Sequence, residues 1–396
     1  MTTTRTEPLA YPFNEEEGLA LNEAYAAARE GEGMIRVRLP YGEAAWLATR
    51  YTDARLVLGD GRFSRAMAKD HDAPRHTPGN NTSGILGMDP PDHTRLRTLV
   101  AKAFTMRRVE QLRPRVRDLT AELIKDMVAA GEPADLVEDF ALPLPVAVIC
   151  ELLGVPVGDR SKFRAWSDAA LSTSSLTADE FEASREELRA YMHGLIEAHR
   201  VTPADDLMTA LIEARDVRDR LTELELVDLC VGILIAGHET TASQIPNFVY
   251  VLLDQPERWN ELRENPDLIP AAVEELTRFV PLGAGAGFAR YAKEDVEVGG
   301  VLVKAGEPVL VAIGAANRDA LQFASPETLV FTRESSPHLG FGHGVHHCLG
   351  APLARLELQE ALRALLSELP GLKLAGDITW KSQMIVRGAR TMPVRW

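Results

Sequence analysis

A chain of 396 residues that is 45% hydrophobic and 26% charged has the composition of a folded protein with material for a large core. Its 58 aspartates and glutamates outnumber 43 lysines and arginines, and the resulting charge of −15 argues against nucleic acid as a general partner. The opening MTTTRTEPLAYPFNEEEG has neither the basic nor the apolar region of a signal peptide, and no unbroken apolar run approaches the ~18–20 residues of a membrane span, so the expected location is cytoplasmic.

No Gly/Ser linker, low-complexity tract or internal repeat divides the chain, which predicts one domain over residues 1–396. Near the N-terminus, MIRVRLPYGEAAWLATRY reads as two strands around a Pro-Tyr-Gly turn. Residues 64–91 carry little periodicity, and a loop of that length in a compact domain is expected to be either functional, here a lid over a cavity, or disordered. A basic island follows: Arg95, Arg97, Lys102, Arg107, Arg108, Arg113, Arg115 and Arg117, with Glu110 as the single acid among them. On an acidic protein such an island suits either a solvated helical face or a dock for anions.

Three-to-four spacing of apolar residues predicts helices over 109–130, 181–199, 222–254, 269–279 and 352–369. The helix at 222–254 starts at a Thr222-x-x-Glu225 capping box, and Pro246 inside it removes a backbone donor and predicts a kink. Between the last two helices, VEVGGVLVKAGEPVLVA predicts a hairpin turning at Gly299-Gly300 and a further short strand. The expected fold class is mainly α with a minor β region.

Cys150 and Cys230 lie in apolar runs and read as small buried hydrophobes, with no disulfide framework. Cys348 differs. It stands in LGFGHGVHHCLGAPLAR among four glycines and three histidines, with His338 a little upstream. Zinc is one reading of His338, His343, His346, His347 and Cys348, but structural zinc takes four ligands, often from paired Cys-x-x-Cys elements, and no such pair is present. The other reading makes the thiolate the sole protein ligand of a haem, whose porphyrin fills the four equatorial positions. Gly342, Gly344 and Gly350 then give a flat macrocycle room, and the helix opening at Pro352 points its amides at Cys348 to favour the thiolate.

The pattern Phe341-Gly342-x-Gly344-x-His346-x-Cys348-x-Gly350 resembles the haem-binding signature of the cytochrome P450 monooxygenases. The resemblance implies a single-domain P450 fold, a triangular prism-like helical domain with small β-sheets, and a haem-thiolate loop at 339–350. It implies haem b (iron protoporphyrin IX) as cofactor, with Cys348 as its axial ligand and Phe341, Gly342 and Gly350 lining the loop. Ala236-Gly237-x-Glu239-Thr240, in the middle of the long helix, resembles the family's oxygen-activation motif: Gly237 would leave space for dioxygen, Thr240 would hydrogen-bond it, and Glu239 would connect to a solvent proton relay. Glu275-x-x-Arg278, with Arg333 as third member, resembles the structural Glu-x-x-Arg network. His93, Arg97, Arg290 and His346 match the positions that hold the haem propionates. Lys102, Arg107 and Arg108 then read as the dock for a ferredoxin, itself reduced by a ferredoxin reductase from NAD(P)H.

The resemblance runs along the whole chain and is nearest in style to actinobacterial enzymes that oxidise macrolides, the mycinamicin type among them. It implies hydroxylation or epoxidation of a bulky secondary metabolite with O2; the alternative is radical coupling of tryptophan-containing cyclodipeptides (diketopiperazines), which similar enzymes perform. Pocket positions carried over are Met88, the loop around 171–176, Ile233, Ala236, Leu282, Ala284, Phe288 and Ile385. PLGAGAGF, rich in small residues, would either leave room for a large substrate or serve only a backbone bend.

Overall fold

The computed structural model describes residues 7–14, 17–77, 84–171, 177–217, 220–283, 285 and 287–396. Its centre is the helix Glu223–Leu253, which starts at Thr222 with both arms of the capping box made: the threonine hydroxyl accepts from the Glu225 amide, and the Glu225 carboxylate accepts from the Thr222 amide. At about 1.5 Å per residue its 31 residues span about 46 Å, enough to cross the domain. Length and hydropathy alone would let this helix cross a membrane. Here it packs in the core, against the helices Pro143–Leu153, Ala178–Val201, Leu207–Asp216 and Ala351–Glu368. Pro246 sits inside the helix without ending it.

The other helices predicted from periodicity lie at Met106–Ala130, Ala178–Val201, Ile269–Phe279 and Ala351–Glu368, each within a few residues of its expected ends. Pro143–Leu153 had no amphipathic signal because eight of its 11 residues are buried, leaving no polar face to mark a period.

A six-stranded sheet flanks the helices. Its order is Leu9–Ala10, Met34–Arg38, Ala45–Ala48, Pro308–Val311, Arg290–Ala292 and Phe63–Ser64. The pair read around the Pro-Tyr-Gly turn is antiparallel, with Met34 opposite Ala48. Val296–Val298 and Val301–Val303 form the hairpin turning at Gly299 and Gly300, whose positive φ values of 57° and 82° suit a tight primed turn. The described parts of 64–91 carry local structure. Ser64 and Arg65 are buried, and two 3₁₀ turns lie at Ala66–Asp70 and Ile85–Gly87. Asp89 ties the segment together by accepting from the Ser64 hydroxyl at 2.5 Å and the Arg65 amide at 2.9 Å. Its middle, 78–83, lies outside the described residues.

Candidate active site

The cysteine loop is held by its own backbone. The Cys348 amide donates to the Phe341 carbonyl at 2.8 Å and the Gly342 amide to the Leu339 carbonyl at 2.8 Å. Gly344, at φ 72°, lies so close to the neighbouring helix end that a Cβ would come within 2.5 Å of the Leu58 carbonyl oxygen. Backbone packing therefore accounts for that glycine. Gly350 is different: its φ is −81°, and no protein atom would lie within 4 Å of an added Cβ, so its open face is available to a flat ligand.

Cys348 is reached by solvent, yet burial raises its thiol pKa; the Gly350 and Ala351 amides and the Arg97 and Arg355 guanidiniums pull it the other way without winning. The Gly350 and Ala351 amides thus act in the direction that favours the thiolate, and burial opposes them. A metal ion bound by the sulphur would displace the proton. The loop histidines do not gather on the sulphur. His338 meets Glu274 at 3.1 Å, His343 lies 3.4 Å from the Arg55 guanidinium, and His346 packs on His93 with ring centroids 4.3 Å apart. Phe341 carries the Arg355 guanidinium 4.4 Å from its ring centroid, and Arg355 is in turn held by Glu274 at 2.6 and 2.8 Å.

Beside this loop the structure collects buried cationic groups. His93, on the helix Asp92–Ala101, and Arg290, on the sheet, are both buried. They are joined by Arg65, which the sequence reading missed because nothing local in FSRAMAKD marks it. Burial, then the nearby Arg290, lower the Arg65 pKa to about 9; burial lowers that of Arg290 to about 10. His346 is driven down to about 3, by burial first and then by Arg65, His93 and Arg290, so it is neutral at physiological pH. The Arg65 Nε and the His93 Nδ1 are buried without a hydrogen-bond partner among the described residues. Such a concentration of positive charge and orphaned nitrogens suits a ligand bearing more than one carboxylate. Arg97 has a partner on the loop: its Nη2 donates to the His347 carbonyl at 2.6 Å.

On the central helix, Gly232 and Ala236 are exposed among buried and half-buried neighbours and share one face with half-buried Thr240. The Thr240 hydroxyl donates to the Ala236 carbonyl at 3.0 Å. Gly237 faces elsewhere. A Cβ there would lie 2.5 Å from Ile149 Cδ1, so the glycine permits close packing of Pro143–Leu153 on the central helix, a different reason from the space for dioxygen expected of it. Glu239 is buried, in an ion pair with Lys381.

A second carboxylate was not anticipated. Glu357, on the helix after the cysteine, is fully buried, and neither of its oxygens makes a well-aligned hydrogen bond. Burial pushes its pKa up to about 8, against a smaller lowering by the Thr241 hydroxyl of the central helix. Between the unfolded value near 4.5 and the folded value, the folded state keeps a proton that the unfolded chain releases, so stability falls as pH rises through this window. Glu357→Gln is expected to flatten the melting temperature of the holoenzyme from about pH 5 to 8 and to raise it at the alkaline end. Parallel pH profiles for variant and wild type would count against a buried neutral acid.

Glu275, Arg278 and Arg333 form one buried network. Arg278 donates to both Glu275 oxygens at 2.7 and 2.8 Å, and Arg333 Nε reaches the same carboxylate at 2.9 and 3.0 Å. Of the pocket positions, Met88, Ile233, Leu282 and Ile385 are partly buried, and Ala284 lies outside the described residues, as do 172–176. Phe288 is half exposed, with the Arg65 guanidinium 4.3 Å from its ring centroid. An open groove of about 550 Å³ lined by Pro90, Pro91, Arg95 and Arg220 includes none of these residues.

A solvent-reached cysteine, a cationic cluster beside it and a helix with one open small-residue face agree with a sequence match: residues 24–370 fit the profile described as Cytochrome P450. The chain belongs to the cytochrome P450 family. It is 54% identical to mycinamicin IV hydroxylase/epoxidase of Micromonospora griseorubida, over 99% of this chain and 100% of that protein. It is 50% identical to nocardicin C N-oxygenase of Nocardia uniformis subsp. tsuyamanensis, again over 99% and 100%. Among solved structures, the crystal structure of HinD with NMFT and NO superimposes with a TM-score of 0.96 at 49% identity, covering 99% of this chain and 100% of that one. This P450 is accordingly a haem-dependent monooxygenase with a mainly helical single-domain fold, and its cofactor is bound through a cysteine thiolate. Cys348, the unpartnered nitrogens of Arg65 and His93, and open Gly350 fit a haem with its two propionates.

Proposed function

We propose that this P450 hydroxylates or epoxidises a bulky, macrolide-like secondary metabolite. The observation that carries the reading is 54% identity over essentially the full length of an enzyme named for both reactions on mycinamicin IV. One oxygen atom of O2 enters the substrate and the other leaves as water, which consumes two electrons and two protons. Haem, bound by Cys348, supplies the reduction and cleavage of dioxygen. Arg65, His93, Arg97, Arg290 and His346 hold its propionates, and Phe341, Gly342 and Gly350 support its face. Ala236 is a small residue on the open face of the central helix, with Gly237 setting how that helix packs. Thr240 offers its hydroxyl to the reacting oxygen in place of the Ala236 carbonyl, and Glu239 supplies protons. Leu282, Phe288 and Ile385, with Met88 and Ile233, wall the substrate.

Electrons come from a ferredoxin in this reading. Arg95, Arg113, Arg115 and Arg117 of the basic island are taken up by Glu225, Glu110, Glu151 and Glu360. Lys102, Arg107 and Arg108 are exposed and make no ion pair among the described residues, and Met106 between them is 62% exposed. An apolar centre with a cationic rim suits an acidic protein partner. A cytoplasmic location belongs to the same reading, supported by three cysteines outside any disulfide.

The test is an optical titration of the purified holoenzyme, ferric and then ferrous with carbon monoxide, against a panel of macrolides and tryptophan-containing cyclodipeptides. A red-shifted thiolate-type carbon monoxide band and a low-to-high-spin change with a macrolide are expected. A spin change with cyclodipeptides alone would replace the substrate class by the coupling chemistry.

A further inference from the structure

A carboxylate buried in a helix-packed interior is costly unless a partner meets it. Glu239 is met by Lys381, 142 positions along the chain, with side chains only 5% and 7% exposed. The same ammonium donates to the Ser243 hydroxyl at 2.9 Å, and that hydroxyl donates to the Glu239 carbonyl at 2.9 Å. Glu239, Ser243 and Lys381 thus close a small polar cluster beside the open face of the central helix, Glu239 and Ser243 each standing three residues on from Ala236 and Thr240.

Lys381 sits at the base of a C-terminal hairpin whose strands are Thr379–Trp380 and Ala389–Thr391, and its amide donates to the Gly388 carbonyl at 2.9 Å. The hairpin rests directly on the central helix. Asn247 Nδ2 donates to the Arg387 carbonyl at 3.2 Å, and a Cβ on Gly388 would come 3.0 Å from Asn247 and 3.3 Å from Ser243. Trp380 meets Tyr250 edge to face at 5.1 Å. The other end of the hairpin is tied to two wall segments: Ile385 N donates to the Leu171 carbonyl at 3.0 Å, Arg387 N to the Leu282 carbonyl at 2.8 Å, and Val386 bridges to Gly283. One short segment therefore touches the substrate wall at its tip and the acid at its base.

We propose that Lys381 is a positioning residue for Glu239, coupling the hairpin at the cleft wall to proton delivery on the central helix. The inference rests on the reading of Glu239 as proton source given above. With the hairpin as described, the ammonium fixes where the Glu239 carboxylate sits; movement of the tip by a molecule in the cleft is transmitted through residues 381–388 and changes that hold.

The experiment compares wild-type, Lys381→Met, Lys381→Arg, Glu239→Gln and Glu239→Gln/Lys381→Met holoenzymes. Each is run with NADPH, ferredoxin and ferredoxin reductase, with mycinamicin IV as the probe. The readout is the ratio of water and product to hydrogen peroxide formed per NADPH, which is defined whether the probe is oxidised or only fills the cleft. Lys381→Met is expected to lower that ratio about tenfold, as Glu239→Gln does, with the double variant no worse than either single and Lys381→Arg restoring most of it. Amide exchange of residues 381–388 gives a readout independent of turnover: faster in Lys381→Met and near wild type in Lys381→Arg. Wild-type partitioning in Lys381→Met beside a damaged Glu239→Gln would overturn the proposal and leave the acid in place. Wild-type partitioning in Glu239→Gln would remove the acid itself. A loss in Lys381→Met that arginine does not rescue, with an altered ferric spectrum, would reduce the lysine to a structural role and overturn the proposal too.

Discussion

Cys348→Ser is expected to abolish the red-shifted carbon monoxide band and to lower monooxygenase turnover by about 10³-fold or more, while the chain still folds. The two halves of this expectation have separate physical grounds. The loop is shaped by backbone contacts, Cys348 N to the Phe341 carbonyl, Gly342 N to the Leu339 carbonyl and His347 N to the Gly344 carbonyl, and none of them uses the sulphur. A serine fits the same space, so stability is expected to change by about 1 kcal/mol or less. The electronic role has no such substitute, because thiolate sulphur donates charge to the iron far better than a hydroxyl does. Carbon monoxide difference spectra and circular dichroism on the same sample check both halves. A retained thiolate-type band in the variant would end the assignment of Cys348.

The largest effect on stability is expected at Glu275. Its carboxylate accepts from Arg278, from Arg333 and from the Val330 amide at 3.0 Å. Arg278 has no exposed side-chain surface and also donates to the carbonyls of Asn317, Pro326 and Thr328, at 2.9, 2.8 and 3.2 Å. The pair therefore fastens the strand-free segment that leads from 317 toward the cysteine loop. Glu275→Gln keeps the shape but removes the charge facing two guanidiniums, one of them wholly buried. Breaking a buried pair in this way costs about 3–5 kcal/mol. A marked drop in melting temperature and a lower haem-to-protein ratio in the purified variant are expected. A melting temperature within a degree or two of wild type would mean that Arg278 is satisfied by the carbonyls alone.

Much of this site is local in sequence, and that part was legible. The cysteine loop is a turn-and-helix unit whose glycines, cysteine and following helix occupy one continuous stretch, so their spacing carries the geometry. Glu275 and Arg278 stand one turn apart on a helix, where a three-residue interval places them on the same face. The turn at Gly299-Gly300 and the capping box at Thr222-Glu225 are set by backbone dihedrals and by neighbours three residues away. These features depend on short-range stereochemistry, which the order of residues states directly.

Other features depend on what folding brings together across hundreds of positions. Arg65 joins His93, Arg290 and His346 only because Phe63–Ser64 pairs with Arg290–Ala292 at the sheet edge. Lys381 reaches Glu239 only because the C-terminal hairpin lies on the central helix, and Gly237 meets Ile149 only through helix packing. Glu357 reads in sequence as one more acid on an amphipathic helix, and its pKa near 8 arises from complete burial that no spacing encodes. The sequence by itself therefore determined the family and the local frame around the cysteine, and singled out Cys348 as the candidate ligand. Tertiary structure decided which charges are buried, which of them face one another and which are left without partners, because desolvation and long-range Coulomb contacts exist only once the chain has closed on itself.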